Sequence, residues 1–148
     1  MIEFINVSKS YGKKQALKDL SLSIRQGEIF GFLGHNGAGK STTIKSLVSI
    51  IEPSSGTILV DGMKLTENRL SIKQKIGYVP DSPDIFLQLT AGEYWDLISA
   101  AYELDTQKKE KRLAELTALF DMYSHQNETI ASFSHGMRQK TILIGTLL

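Results

Sequence analysis

The stretch GHNGAGKSTT, Gly34 to Thr43, sets three glycines within six residues and follows them with a lysine and a run of hydroxyls. Glycine loosens the backbone and weakens folding wherever another side chain would have packed. Gly34, four further residues and then Gly39-Lys40-Ser41 fit the G-x-x-x-x-G-K-[ST] spacing of a phosphate loop. Just upstream, EIFGFLG (Glu28 to Gly34) is a compact apolar run that reads as a strand buried on both faces. Downstream, Ile44, Leu47, Val48 and Ile51 fall at helical spacing from Lys40 to about Ile51, until Pro53, Ser54, Ser55 and Gly56 break the pattern. Strand, loop, helix is the context the chemistry requires. The glycines let backbone N–H groups turn inward around phosphate oxygens, and the helix starting near Lys40 aims its positive end at them. Lys40 is placed to reach β and γ phosphates, and the Ser41 hydroxyl to ligate Mg²⁺ bridging the same phosphates. The loop is expected to hold a nucleoside triphosphate, with Lys40 as a catalytic contact.

Working outward, Ile2, Phe4 and Val7 begin an alternating strand, and Leu20, Leu22 and Ile24 resume the alternation after a turn near Gly12 to Lys14, which predicts an antiparallel β layer. Thr57 to Val60 reads as a strand closed by Asp61-Gly62, and Ile76 to Val79 as another ended by Pro80. Beyond Pro80 the pattern turns helical. Thr90 and Glu93 form a capping-box pair ahead of a helix to about Tyr102, and Leu113, Leu116, Leu119 and Phe120 mark a second helix whose solvated start is KKEKR, Lys108 to Arg112.

The 148 residues suffice for one domain with a real core and no disulfide or metal staple. Lys and Arg number 17 against 16 Asp and Glu, so no overall field favours nucleic acid or an anionic membrane, and anion binding must be local. The absence of cysteine excludes disulfides and thiolate metal sites. The start does not read as a secretory signal, and apolar tracts such as Ile142 to Leu148 are far shorter than the roughly 20 residues that span a bilayer. Because Leu148 falls inside an apolar, helix-compatible run, the chain is expected to be a truncated piece.

VSKSYG near the start, GHNGAGKST, IGYVPD and FSHGMRQK occur in an order and spacing that resemble the nucleotide-binding ATPase domain of an ATP-binding cassette (ABC) transporter, along the whole chain. The resemblance implies an α/β fold, a P-loop NTPase core with an antiparallel β layer and a helical subdomain, incomplete at the C-terminus. It divides the chain into 1–81, the β layer plus Walker A core, and 82–148, the helical subdomain. It implies that Tyr11 stacks on adenine, and that Gly34, Asn36, Gly37, Ala38, Gly39, Lys40, Ser41 and Thr42 contact phosphate and Mg²⁺. FSHGM, Phe133 to Met137, resembles the family signature, so Ser134 and Gly136 are expected to cap the γ-phosphate of ATP bound by a second subunit. A plain N-cap role for Ser134 describes the same local geometry.

Two positions depart from the family pattern. Asp81 stands where glutamine is usual, shorter and charged, able to hold Mg²⁺ through water but in doubt as a γ-phosphate sensor. His135 replaces a glycine of the signature. The family's second acidic motif, with its catalytic glutamate, and its switch histidine are expected beyond Leu148. Without that base the chain is expected to bind ATP but hydrolyse it poorly, a general base contributing about 10² to 10⁴-fold.

The resemblance further implies ATP hydrolysis by the full-length protein to power transport, export being the subgroup it favours. It implies head-to-tail pairing with a second nucleotide-binding domain and an integral membrane permease met through the 81–95 region. The domain would be cytoplasmic, peripheral on the inner face of the membrane, with no nucleic-acid partner. Two other readings stay open: a soluble cassette ATPase acting on a nucleic-acid or ribosomal partner, and a P-loop kinase or GTPase module sharing only the glycine loop.

Overall fold

The computed structural model describes residues 1–148, which divide into two compact units, Met1–Ile76 and Gly77–Leu148. In the first unit the predicted hairpin forms as β1 (Ile2–Tyr11) and β2 (Lys14–Ile24), joined by a two-residue loop with Gly12 at φ 57°. β3 (Ser55–Val60) pairs with the free edge of β1, and β4 (Met63–Lys64) follows through Asp61-Gly62, both at positive φ, the geometry a two-residue hairpin turn favours. The sheet is antiparallel throughout, in the order β2-β1-β3-β4, with Ile2 opposite both Ile24 and Val60.

Its register slips near Asn6, which adopts φ 49°. Gly56 crosses there so closely that a Cβ would stand 2.4 Å from the Asn6 carbonyl oxygen, which excludes any larger residue. The alternation read from the sequence is the reason the sheet has an inner face. Phe4, Val7, Leu17, Ile58 and Val60 are buried there with Leu65 and with Ile72 of a short helix, α2 (Arg69–Lys73).

The phosphate-loop helix α1 runs over Lys40–Leu47, four residues short of the expected end near Ile51, because Ser49 turns into the left-handed region at φ 58°. Its buried positions are Thr43 and Ser46 rather than the predicted Ile44, which is exposed. Both buried hydroxyls donate to carbonyls one turn back, Thr43 to Gly39 at 3.0 Å and Ser46 to Thr42 at 2.8 Å, so burial leaves no polar group unpaired.

Two predicted strands do not form. Residues 28–34 and 76–79 join no sheet, and Ile29 and Leu33 are 102% and 93% exposed. A strand buried on both faces needs neighbours to hydrogen-bond and helices to cover it, and the four-stranded sheet includes neither segment.

The second unit is helical: α3 (Ala91–Ala101), α4 (Thr106–Leu119) and α5 (His135–Leu147), with 3₁₀ turns at Tyr123–His125 and Ile130–Ser132. The capping box at α3 is complete: Thr90 Oγ1 accepts from Glu93 N at 3.2 Å, and the Glu93 carboxylate accepts from Thr90 N at 2.8 Å. On α4, Leu116 is buried and Leu119 exposed, while most of Lys108 to Arg112 is exposed as expected. Trp95 is fully buried and donates from Nε1 to the Thr141 carbonyl at 3.0 Å, pinning α3 to α5 across a core of Tyr94, Leu116, Met122, Phe133, Ile142 and Ile144. No helix is long and apolar enough to cross a membrane.

Candidate functional site: the phosphate loop and the signature helix

In the first unit the loop from Gly34 enters α1 through Gly39, at φ 90° as N-cap. A Cβ at Gly39 would lie 2.7 Å from both the Ala16 carbonyl oxygen and Leu17 Cδ2 of β2, so the loop presses against the hairpin that ends at Tyr11. Glycine is therefore required at this position twice over, for backbone conformation and for space. Gly37, at φ 88°, supplies the other reversal.

The fate of the loop's hydrogens follows from this backbone. Ala38 N donates to His35 O at 3.1 Å and Thr43 N to Gly39 O at 2.8 Å, whereas the N–H groups of Gly37, Gly39, Lys40, Ser41 and Thr42 find no acceptor within the chain. The last three belong to the first turn of α1, where the helix itself offers none. The Lys40 ammonium curls back over the loop and donates to the carbonyls of Gly34 and His35. A positive charge and several oriented N–H donors thus share one loop, an arrangement matched to a polyanion.

The hydroxyls separate in the same way. Thr43 and Ser46 are used internally, but the Ser41 and Thr42 side chains bond to nothing in the chain, and Ser41 is exposed. This fits a metal–phosphate group: a hard oxygen donor stands ready in the turn whose N–H groups are free. No cluster of three or more His, Cys, Asp or Glu side chains could hold a metal ion unaided, so any Mg²⁺ would take most of its ligands from phosphate and water. Tyr11 closes β1 as a residue 48% exposed, with the Lys9 ammonium 5.3 Å from its ring centroid, leaving surface on which a base could stack.

In the second unit Asp81 is exposed and hydrogen-bonded to no other group. Ser134 is the N-cap of α5, its Oγ accepting from Met137 N at 3.3 Å, and the N–H groups of His135 and Gly136 have no acceptor in the chain. A Cβ at Gly136 would meet nothing within 4 Å, so no packing inside this chain calls for a glycine there. The sequence reading missed Arg138. Its Nη1 donates to Asp84 at 2.6 Å, its Nε to Ile130 O at 3.2 Å and its Nη2 to Ala131 O at 2.8 Å. Asp84 also accepts from Ser82 Oγ at 3.1 Å, and these two hydrogen bonds, Arg138 first, hold its carboxyl below the usual carboxylate range. These partners lie too far apart in sequence for spacing to reveal them.

A glycine loop with free amides opening a helix, beside a hydroxyl-bearing first turn, defines a phosphate-binding nucleotide domain. The family model for the ABC transporter matches residues 17–148, and the chain belongs to that family. It is 38% identical over its whole length to the linearmycin resistance ATP-binding protein LnrL of Bacillus subtilis (strain 168), of which it covers 47%. Among solved structures it is similar to an ATP-binding subunit of an ABC transporter, with TM-score 0.91 and 32% identity over 98% of this chain and 60% of that one. It is also similar, at TM-score 0.83 and 26% identity over 100% of this chain and 69% of that one, to a dimeric ATP-binding cassette in a post-hydrolysis state bound to ADP and Pi. The chain spans about half the length of the linearmycin-resistance relative.

Proposed function

We propose that this chain is the ATP-binding part of an ABC transporter ATPase and holds Mg-ATP at residues 34–42. The observation that carries the reading is the set of unpaired N–H groups at Gly37 and Gly39 through Thr42 around the Lys40 ammonium. In this reading Gly34, Asn36, Gly37, Ala38, Gly39 and Thr42 line the phosphates, Lys40 contacts the β and γ positions, and Tyr11 stacks on adenine. Ser41 serves Mg²⁺, which when bound offsets phosphate charge during transfer.

Ser134 and Gly136 serve the γ-phosphate held by a second copy or a related domain, which would explain a glycine that nothing in its own chain requires. The dimeric ADP-bound cassette supports such pairing. In the full-length protein the reading assigns ATP hydrolysis that powers transport through an integral membrane permease at the inner face of the membrane. Export is favoured by the likeness to a Bacillus subtilis relative named for peptide export, 29% identical over the whole of this chain. The two working parts are 1–81 and 82–148, and the 148-residue chain turns ATP over slowly because its residues supply no glutamate in the expected apolar-strand context.

Calorimetric titration with Mg-ATP tests the binding claim. Lys40→Ala removes charge-assisted hydrogen bonds worth about 1.5 to 3 kcal/mol each, so affinity is expected to fall at least about tenfold. Unchanged affinity contradicts the assignment. Phosphate release tests the second claim: rapid release by the purified chain, abolished in Lys40→Ala, contradicts slow turnover.

A further inference from the structure

We propose that Asp84, acting through Arg138, is a positioning residue that sets the first turn of α5 for pairing with a second nucleotide-binding copy. This rests on the pairing reading given above and adds the element that orients its Ser134 side. Arg138 lies one turn into α5, and all three of its nitrogens are engaged: Nε and Nη2 on the carbonyls of Ile130 and Ala131, and Nη1 on Asp84. The two carbonyls belong to the 3₁₀ turn that leads into Phe133 and Ser134. A planar guanidinium with fixed donor directions holds its three partners in a defined mutual arrangement, which a flexible ammonium would not do.

The segments it joins are unequally secured. Residues 87–92 are already tied to 126–131 by backbone bonds: Ala131 N to Leu87 O at 3.0 Å, Ile130 N to Leu89 O at 2.9 Å, Ala91 N to Glu128 O at 3.1 Å and Gly92 N to Gln126 O at 2.8 Å. Residues 81–86 have no such ladder: they are held by apolar packing, with Pro83 buried, Ile85 against the helical core and Phe86 5.8 Å from the Tyr94 ring, and by the Asp84–Arg138 ion pair to α5. Asp84 is three residues beyond Asp81 and is itself braced by Ser82. The carboxylate is therefore the directional polar link from the 81–86 segment to the turn carrying Ser134, His135 and Gly136. Asp84 is 53% exposed and Arg138 23%, so removing the carboxylate leaves the buried core intact.

The test uses the full-length protein, comparing Asp84→Ala, Asp84→Asn and Asp84→Glu for Mg-ATP-dependent self-association by analytical ultracentrifugation, Mg-ATP affinity by calorimetry and thermal stability. Asp84→Ala is expected to weaken association by up to about tenfold, the ceiling being the worth of one charge-assisted hydrogen bond acting wholly to hold the α5 turn in its pairing geometry. Asp84→Asn is expected to weaken it less, and Asp84→Glu to recover to within about threefold of the unaltered protein, with nucleotide affinity changed by less than about twofold throughout. A merely structural role would lower thermal stability and association together and would not be rescued by glutamate, and that pattern overturns the inference. Failure of the unaltered protein to associate on Mg-ATP overturns the pairing reading and this inference with it. Association indifferent to Asp84→Ala overturns this inference alone.

Discussion

Lys40 donates from Nζ to the carbonyl oxygen of His35 at 2.8 Å, so the ammonium is held by the backbone of the loop that precedes it. The charge is stationed on the Gly34 and His35 carbonyls, in the same loop as the unpaired amides of Gly39 and Ser41, by contacts the chain makes itself. Preorganised donors of this kind need little rearrangement to receive an anion, which is where their effectiveness comes from.

Gly39→Ala tests whether the loop's shape depends on its contact with the hairpin. Alanine at φ 90° is strained, and its Cβ would meet the Ala16 carbonyl and Leu17 at 2.7 Å. A loss of about 2 kcal/mol or more in urea denaturation is expected, from strain and overpacking together. An unchanged midpoint would mean that the loop is not seated on β2.

Gly136→Ala separates folding from pairing. With open space at the Cβ position and a place inside α5, alanine is expected to stabilise the second unit by about 0.5 to 1 kcal/mol, seen as a higher urea midpoint. In the full-length protein the same methyl group is expected to weaken Mg-ATP-dependent association. Greater stability with undiminished association would remove the case for a close approach at this glycine.

Asp61 gives a pH prediction. Its carboxylate lies 2.7 Å from the N-terminal ammonium and 3.4 Å from Lys75 Nζ. The hydrogen bond and charge of the N-terminus, then Lys75, lower its pKa in the folded chain. A lowered folded pKa contributes stability that is present above the unfolded value, near 3.9, and lost as pH falls through the folded value. Asp61→Asn keeps a residue suited to the turn's positive φ and removes the charge. Urea midpoints measured from neutral pH down to about pH 2 are expected to fall less steeply for the variant below about pH 4. Parallel curves would show that the pair contributes nothing.

What the sequence discloses and what it withholds divide along physical lines. Alternation at Ile2, Phe4 and Val7, the Asp61-Gly62 turn and the Thr90/Glu93 box are local patterns with local causes, and each appears in the fold as read. The composition of the apolar run at 28–34 suits a buried strand, but pairing is a property of neighbours, and the chain's sheet provides none for it. Helix α1 shows the converse: Leu47 packs on the sheet core, but the buried positions are Thr43 and Ser46, whose hydroxyls satisfy themselves on the helix backbone and so leave no apolar signal. β4 and α2 are too short to leave a periodic signal. At the site, the glycine loop announced its amides through spacing, while the Asp84–Arg138 pair joins residues 54 positions apart and carries no local signature.

Whether the free amides of Gly37 and of Gly39 through Thr42 receive the triphosphate is addressed residue by residue by a backbone amide NMR titration of this chain with Mg-ATP. The largest shifts are expected on Gly37, Gly39, Lys40, Ser41 and Thr42, saturating together and displaced to at least about tenfold higher nucleotide concentration in Lys40→Ala. Saturable binding that leaves those five amides unmoved while shifting others, or no binding at all, would contradict it.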